Sequence, residues 1–233
     1  MSAAILEFAG VSKAYGGLRP LRIAELRLGA GEQIALLGFD QPTAEVFVNL
    51  ATGATLPDAG EVRTFGRATH AIDDSADWLA TVDRFGIVSE RAALLAALTV
   101  IQNLAMPFTL EIEPPPAEIR ERAEALARVV GLDPAAWDEP VARLDADGWL
   151  RVRFGRAIAL EPAIVILEHA SAALNRGAVS AAGAQMRTVA GARGIALVAL
   201  TADEPFAKAV AGAVVTLEAA TGLLKPLRRG WFR

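Results

Sequence analysis

The chain has 233 residues, a net charge of −4 and no cysteine. Its length suits one large α/β domain, or a core domain with a smaller subdomain. The negative charge offers no basic footprint for nucleic acid, and the lack of cysteine excludes disulfides and thiolate metal sites, which fits the cytoplasm. Although 53% of the residues are hydrophobic, no run approaches the roughly 18 apolar residues of a membrane span. The N-terminal residues lack the features of a signal peptide.

Apolar periodicity predicts strands that alternate with helices along most of the chain. In chain order, strands are predicted over 5–11, 21–28, 33–37, 61–64, 85–88, 163–167, 195–200 and 214–218. Helices are predicted over 45–52, 117–130, 144–160 and 176–192. This alternation indicates an α/β fold with a largely parallel sheet whose two faces are covered.

The turn after the third predicted strand has the outline of a phosphate-binding loop. That motif reads Gly, four residues, then Gly-Lys-Ser/Thr between a strand and a helix. Gly38 occupies the first position, but Thr43 replaces the second glycine and Ala44 replaces the lysine. Glu45 replaces the magnesium-binding hydroxyl, and Val46 follows it. The sequence therefore keeps the position of the loop and lacks the groups that bind phosphate.

Glu45 also places a negative charge where phosphate and magnesium would lie. Two unit charges 4 Å apart repel by about 4 kcal/mol at an effective dielectric constant near 20. A good hydrogen bond returns only about 1 kcal/mol. The chain has three lysines, Lys13, Lys208 and Lys225, and none is near this loop in sequence.

Several segments, in this order, resemble the ATP-binding subunits of ABC transporters over almost the whole chain. Tyr15, in the segment 11–17, lies where the family stacks an aromatic ring on adenine. The other matching segments are 53–62, 98–107 and 151–162. The resemblance implies the ABC-type P-loop NTPase fold, with a mostly parallel sheet, an N-terminal antiparallel β part and a helical subdomain. It assigns residues 1–90 and 151–233 to the β core and 91–150 to the helical subdomain.

The family's other nucleotide-site motifs are also altered in this sequence. The Walker B strand, which ends Asp-Glu-Pro in the family, ends here at Glu168 and His169. Glu90 matches the glutamine of the Q-loop, and Ala202 matches the switch histidine. We therefore expect these four residues to be degenerate counterparts of a catalytic site rather than a working one.

The signature motif Leu-Ser-Gly-Gly-Gln reads Leu-Asp-Ala-Asp-Gly at 144–148. Asp145 is a suitable N-cap for the helix that follows, so the fold is retained. Asp145 and Asp147 would repel the γ-phosphate that the family's signature helix contacts across a dimer interface. These substitutions predict a helix that still begins at the same position but no longer binds the γ-phosphate.

These substitutions predict a pseudo-ATPase with no metal and no cofactor, serving as a structural or regulatory subunit of a membrane transport complex. One alternative is a divergent but active ATPase, with Glu168 on magnesium and His169 as general base. Another is a soluble regulator that dimerises through the former ATP interface, where Glu45 and Asp145 meet basic side chains.

The resemblance also implies a surface that grips a transmembrane partner. We expect it within 91–112, although the same residues would also serve as the core of the helical subdomain. The side chains predicted to contribute are Leu94, Leu95, Leu98, Val100, Leu104, Met106 and Phe108. The expected assembly is a homo- or heterodimer, peripheral on the cytoplasmic face of the cell membrane and bound to an integral membrane subunit.

Overall fold

The computed structural model describes residues 4–16 and 19–227. Its strands are β1 (Ala4–Lys13), β2 (Leu21–Gly29), β3 (Gln33–Leu37), β4 (Ala59–Thr64), β5 (Arg67–Ala68), β6 (Phe85–Val88), β7 (Ile164–Glu168), β8 (Ala196–Thr201), β9 (Ala213–Glu218) and β10 (Leu223–Pro226). Its α-helices are α1 (Gln41–Ala51), α2 (Ser75–Val82), α3 (Val100–Ala105), α4 (Ala117–Val129), α5 (Ala146–Ile158), α6 (Arg176–Ala192) and α7 (Glu204–Val210). Short 3-10 turns cover Thr69–Ala71, Pro134–Ala136 and Val141–Arg143.

The strands form two sheets. The larger has the order β10-β9-β3-β8-β7-β6, and all of its pairs are parallel except β10 with β9. The smaller, with the order β2-β1-β4-β5, is antiparallel and comes from the N-terminal part of the chain. The predicted combination of a mostly parallel sheet and an N-terminal antiparallel part is confirmed.

The central strands are buried because helices or the second sheet cover both faces of the parallel sheet. Every residue of β7 and β8 is buried, as the continuous apolar sequence of such strands requires. One apolar core joins this sheet to α3, α4, α5 and α6, and another joins it to the antiparallel sheet and α1. The strands thus hold the turns at their carboxyl ends in fixed positions.

The structure differs from the sequence predictions in several elements, and α3 and β5 are among those that were not predicted. Helix α1 begins at Gln41, not at Glu45, and α2 and β10 were not predicted. β10 pairs with β9 across a tight turn, which extends the sheet beyond the last predicted strand. Residues 1–3, Gly17 of the predicted adenine-contacting segment, and 228–233 lie outside the described residues.

Part of the predicted partner surface is interior. Val100 and Leu104 are fully buried, and Leu94 is 8% exposed. Val100 and Leu104 lie on α3, which packs against α4 and α5, so they form the core of the helical region and are not available to a partner. The assignment of these two residues to a partner surface is therefore wrong. For Leu95, Leu98, Met106 and Phe108 it stays a prediction, as do the domain boundaries.

Candidate functional site

The candidate site lies at the carboxyl edge of the parallel sheet, where β3, β7 and β8 end side by side. Parallel strands end at a common edge, and in open α/β sheets ligands bind there. The backbone N–H of Gly38, just after β3, donates to the Thr201 carbonyl at the end of β8 over 2.8 Å. Glu168, the last residue of β7, pairs in register with Leu200 of β8. The turn after β3 and the end of β7, where the sequence predicts the Walker A and Walker B motifs, therefore lie close together.

The turn between β3 and α1 is anchored by an aromatic side chain. Gly38 has a φ of 93°, which glycine adopts without strain. The next residue, Phe39, is 1% exposed, and its ring meets that of Phe47 edge-on at 6.0 Å between centroids. Phe47 in turn stacks on Phe8 of the antiparallel sheet at 4.7 Å. The turn is thus fixed by the hydrophobic core beneath it.

Helix α1 begins early because Asp40 caps it. The Asp40 carboxylate accepts a hydrogen bond from the Thr43 N–H at 2.9 Å, and Pro42 lies in the first turn, where a missing N–H costs nothing. Hydrogen bonds from the Thr43 hydroxyl and N–H hold the pKa of Asp40 below its usual value. The positive end of the helix, where a phosphate-binding loop would hold its ligand, is occupied by a carboxylate of the same chain.

Tyr15 lies against this turn. Its hydroxyl is 3.0 Å from the Thr43 hydroxyl, and its ring packs on the core that α1 shares with the antiparallel sheet. The side chain is therefore held by packing and by one hydrogen bond. Its predicted role as an adenine-stacking residue remains a prediction.

Glu168 is the most deeply buried charged group of the site. Its side chain is 0% exposed, and both of its oxygens already accept hydrogen bonds. Gln41 Nε2 donates to Oε1 at 2.5 Å, and Arg91 Nη2 donates to Oε2 at 2.6 Å. Burying a carboxylate without a partner is costly, so the amide and the guanidinium together explain how this residue is accommodated.

Arg91 joins the two halves of the site. While Nη2 meets Glu168, Nη1 lies 2.8 Å from Glu45 Oε1, so one guanidinium bridges the Walker B strand and helix α1. The Ser89 hydroxyl also accepts from the Arg91 backbone N–H at 3.1 Å. The planar fork of a guanidinium suits two carboxylates at once, which a lysine ammonium would not match. Arg91 and Glu45 remain 44% and 46% exposed.

Sequence reasoning missed Arg91. No lysine lies close to the loop in sequence, and the compensating cation is instead an arginine that follows β6, in a distant part of the chain. One signal was available: a carboxylate predicted at the end of a buried strand requires a donor. Arg91 follows Glu90, whose own side chain is exposed.

His169 and Glu90 lie beside this network. His169 has a φ of 48°, and its Nε2 is buried without a hydrogen-bond partner among the described residues. Together with Glu168 and Ala146 at the start of α5, both residues line a cavity of about 10 Å³, at the lower limit of the space that can hold one water. The structure thus brings Glu90, Glu168 and His169 together with the Walker A turn.

The remaining predicted site residues make local contacts. Asp145 accepts from the Gly148 N–H at 2.8 Å and is the N-cap of α5, as predicted. Asp147 pairs with Arg151 one turn further on, at 2.6 Å. Ala202 is exposed after β8 and carries no polar group. Ala44 and Val46 lie on α1, where Ala44 is fully buried at the position of the motif's lysine.

A groove of about 360 Å³ opens between the sheet and the helical region. Leu94 and Met106 of the predicted partner surface are in its wall, and the 55%-exposed Leu160 is at its edge. Its charged residues are Asp83, Arg153 and Arg156; burial lowers the pKa of Arg156 from its usual value. The Nε of Arg153 is buried without a hydrogen-bond partner in the described part of the chain.

Comparison with known proteins identifies the fold. The structure superposes on cbiO1 of Clostridium perfringens, part of the ABC transporter complex cbiONQ, with a TM-score of 0.78 over 97% of this chain and 88% of that one, at 20% identity. It also superposes on the dimeric ATP-binding cassette MJ0796 bound to ADP and phosphate, with a TM-score of 0.74 over 97% and 100% of the two chains, at 20% identity. The fold is that of an ATP-binding cassette.

The sequence comparison adds the family relationship. The chain is 28% identical over 218 residues to the methionine import ATP-binding protein MetN of Brucella abortus, and 29% identical over 211 residues to the lipoprotein-releasing system ATP-binding protein LolD of Maricaulis maris. The match to MetN covers 93% of this chain and 58% of MetN, and the match to LolD covers 89% of this chain and 91% of LolD. This chain therefore spans less than two thirds of the MetN relative. No protein-family model matches it. The chain is thus similar over most of its length to ATP-binding proteins of transport systems.

Within 4–16 and 19–227, no helix is both long and apolar enough to cross a membrane.

Proposed function

We propose that this chain is a cassette subunit that neither binds ATP tightly nor hydrolyses it, and that it acts as a structural or regulatory subunit of a membrane transport complex. The observation that carries the proposal is the Arg91 bridge: both oxygens of Glu168 are engaged by Gln41 and Arg91, and the same guanidinium holds Glu45. A magnesium–nucleotide complex would have to displace this cation from a buried carboxylate.

The charge of the site supports the same conclusion. Asp40, Glu45 and Glu168 contribute three carboxylates, and Arg91 is the cation that contacts two of them. Each carboxylate within about 4 Å of a phosphate would oppose binding by about 4 kcal/mol at an effective dielectric constant near 20. These residues do not fit a nucleotide triphosphate with its magnesium ion, and we assign the chain no cofactor.

The groove is the proposed docking site for the membrane subunit. Most of the residues that line it are apolar, and two arginines, Arg153 and Arg156, give it polar surface as well. This chemistry suits a short amphipathic helix with apolar anchors and one carboxylate, presented by a cytoplasmic loop of an integral membrane protein. MetN and LolD are named for methionine import and lipoprotein release. By analogy with these proteins, we propose that this chain lies on the cytoplasmic face of a membrane. The complex is proposed to be a homo- or heterodimer of such subunits.

The competing function is a divergent but active ATPase, which the names of the ATP-binding relatives favour. A turnover assay separates the two. Purified wild-type protein is incubated with ATP and magnesium, and phosphate release is compared with that of the Glu168→Gln variant. We expect both to match the buffer blank. Phosphate release by the wild type that the variant lacks would show that the proposal is wrong.

A further inference from the structure

The segment from Ser89 to Leu95 connects the Arg91 bridge at the candidate site to the groove. At one end, Arg91 bridges Glu45 and Glu168. Further along the same segment, Ala92 and Leu94 line the groove. This short stretch turns at 90–92, where the Ala92 N–H donates to the Ser89 carbonyl over 3.1 Å. Neighbouring side chains of one turn therefore meet the site and the groove, so the position of one constrains the position of the other.

Two further contacts fix the far end of this segment. Arg156 Nη1 donates to the Ala93 carbonyl over 2.8 Å. The fully buried Asn103 pairs with both backbone groups of Leu95: its Oδ1 accepts from the Leu95 N–H at 2.9 Å, and its Nδ2 donates to the Leu95 carbonyl at 3.0 Å. Arg156 lies on α5 and Asn103 on α3, whereas Glu45 lies on α1 and Glu168 ends β7. The segment is thus held to both parts of the protein.

From these contacts we infer that Arg91 is a positioning residue whose guanidinium bridge holds the groove in its partner-binding shape. This inference rests on the proposed function, because it assigns to Arg91 the control of the proposed docking groove. Partner docking would then be independent of ATP and dependent on the Arg91 bridge.

The chemistry of the bridge explains why a guanidinium is suited to this role. Its two terminal nitrogens lie in one rigid plane and contact different carboxylates, Nη2 that of Glu168 and Nη1 that of Glu45, so the direction of the side chain is fixed along with its charge. The Glu168 end is buried and resists competition from solvent, whereas the Glu45 end is half exposed. Removing the guanidinium releases the segment from the sheet while Arg156 and Asn103 still hold it to the helical region.

Hydrogen exchange of the intact chain tests the inference. Exchange is followed by mass spectrometry in peptides covering 90–98 for the wild type and for Arg91→Ala. Arg143→Ala is the matched control, since Arg143 is an exposed arginine paired with Glu139 one turn away on the surface. We expect exchange in 90–98 to rise about tenfold in Arg91→Ala, as local opening does when an anchoring contact is lost, and to stay unchanged in the control.

Chemical rescue distinguishes a positioning role from general destabilisation. Methylguanidinium at tens of millimolar should restore slow exchange in Arg91→Ala, whereas potassium chloride at the same concentration should not. If Arg91→Ala does not fold, Arg91→Lys is used instead. Because an ammonium cannot bridge both carboxylates in one plane, we expect 90–98 to exchange faster than in the wild type but more slowly than it would with no cation at this position.

Two results would overturn the inference. One is unchanged exchange in 90–98 after the loss of Arg91; the other is faster exchange that methylguanidinium and potassium chloride affect equally. Adding ATP with magnesium to the wild type tests the proposed function separately from the role inferred for Arg91. Slower exchange in 90–98 on nucleotide addition would contradict the absence of ATP binding, whatever the Arg91 variants do.

Discussion

The Arg91 guanidinium lies 2.6 Å from the Glu168 carboxylate, although the two residues are 77 positions apart in the chain. It joins the segment after β6 to the end of β7, at the sheet edge where cassettes of this fold place their nucleotide site. Gln41 from α1 completes the coordination of the carboxylate. Both oxygens of the buried Glu168 carboxylate thus accept hydrogen bonds from groups of the same chain.

Removing the Arg91 guanidinium should destabilise the protein because the buried Glu168 carboxylate then keeps only one of its two hydrogen-bond partners, Gln41. Breaking a fully buried pair costs about 3–5 kcal/mol. We expect Arg91→Ala to lower the free energy of unfolding by about 2 kcal/mol, since Arg91 is 44% exposed and Gln41 still donates. For a chain of this length, that corresponds to a fall in Tm of about 4–8 °C.

Glu45→Gln is the control for the exposed end of the same bridge. Because both partners of that pair are nearly half exposed, its loss should cost less than about 1 kcal/mol. Urea unfolding of the two variants provides the comparison. Equal losses would show that burial of Glu168 does not determine the strength of the bridge.

The anchoring of the Walker A turn gives a second prediction. Phe39 is 1% exposed between the sheets and packs on Phe47. Phe39→Ala should lower the free energy of unfolding by about 3–5 kcal/mol, as deletion of a buried aromatic ring does. Phe39→Leu keeps most of the volume and should cost less than about 1.5 kcal/mol. A loss below 1 kcal/mol for Phe39→Ala, measured by denaturant unfolding, would mean that the turn does not depend on this contact.

Much of the fold was predictable because its signals are local. The apolar runs of β3 and β6 and the helix 176–192 match the structure, and Asp145 was identified as an N-cap from its position alone. The early start of α1 had a local signal too, since Asp40 precedes a proline in the first turn, but the resemblance to a phosphate-binding loop favoured a later start.

The network of the candidate site could not be predicted in the same way. It joins side chains from α1, the segment after β6 and β7, which are adjacent only because the parallel sheet aligns their ends. Likewise, apolar periodicity indicated that the residues around α3 are hydrophobic but not which of them face outward. Val100 and Leu104 are interior because α3 packs against α4 and α5.

The cap of α1 predicts a dependence of stability on pH. Hydrogen bonds from Thr43 lower the pKa of Asp40 in the folded state. A lowered pKa means that the carboxylate stabilises the fold above its unfolded-state pKa of about 3.9 and that this contribution is lost as the pH falls through the folded-state value. Wild-type stability should therefore fall more steeply below pH 4 than that of Asp40→Asn, whose amide still caps the helix without titrating.

Urea unfolding between pH 2.5 and 6 measures this difference. Asp40→Ala, which lacks the cap altogether, should be less stable than the wild type near neutral pH by about 1 kcal/mol. Parallel pH profiles for the wild type and Asp40→Asn would show that Asp40 makes no titrating contribution to stability.

The groove can be tested with variants that leave the core intact. Leu160 is 55% exposed at its edge, so Leu160→Asp should reduce recovery of the chain with an integral membrane subunit from detergent-solubilised membranes by at least about tenfold, as loss of an apolar anchor does. Leu223→Asp is the matched control, because Leu223 is 46% exposed on β10, outside the groove. Equal recovery of the two variants would place the partner surface elsewhere.

Calorimetric titration of the purified chain with ATP, with and without magnesium, tests the central claim most directly. The account predicts no detectable binding heat up to about millimolar nucleotide. A dissociation constant of about 1 mM corresponds to a binding free energy of only about 4 kcal/mol. Tyr15→Ala provides the comparison, since its ring lies beside the Walker A turn. Micromolar binding by the wild type that Tyr15→Ala abolishes would contradict the account and would mean that nucleotide displaces Arg91 from Glu168.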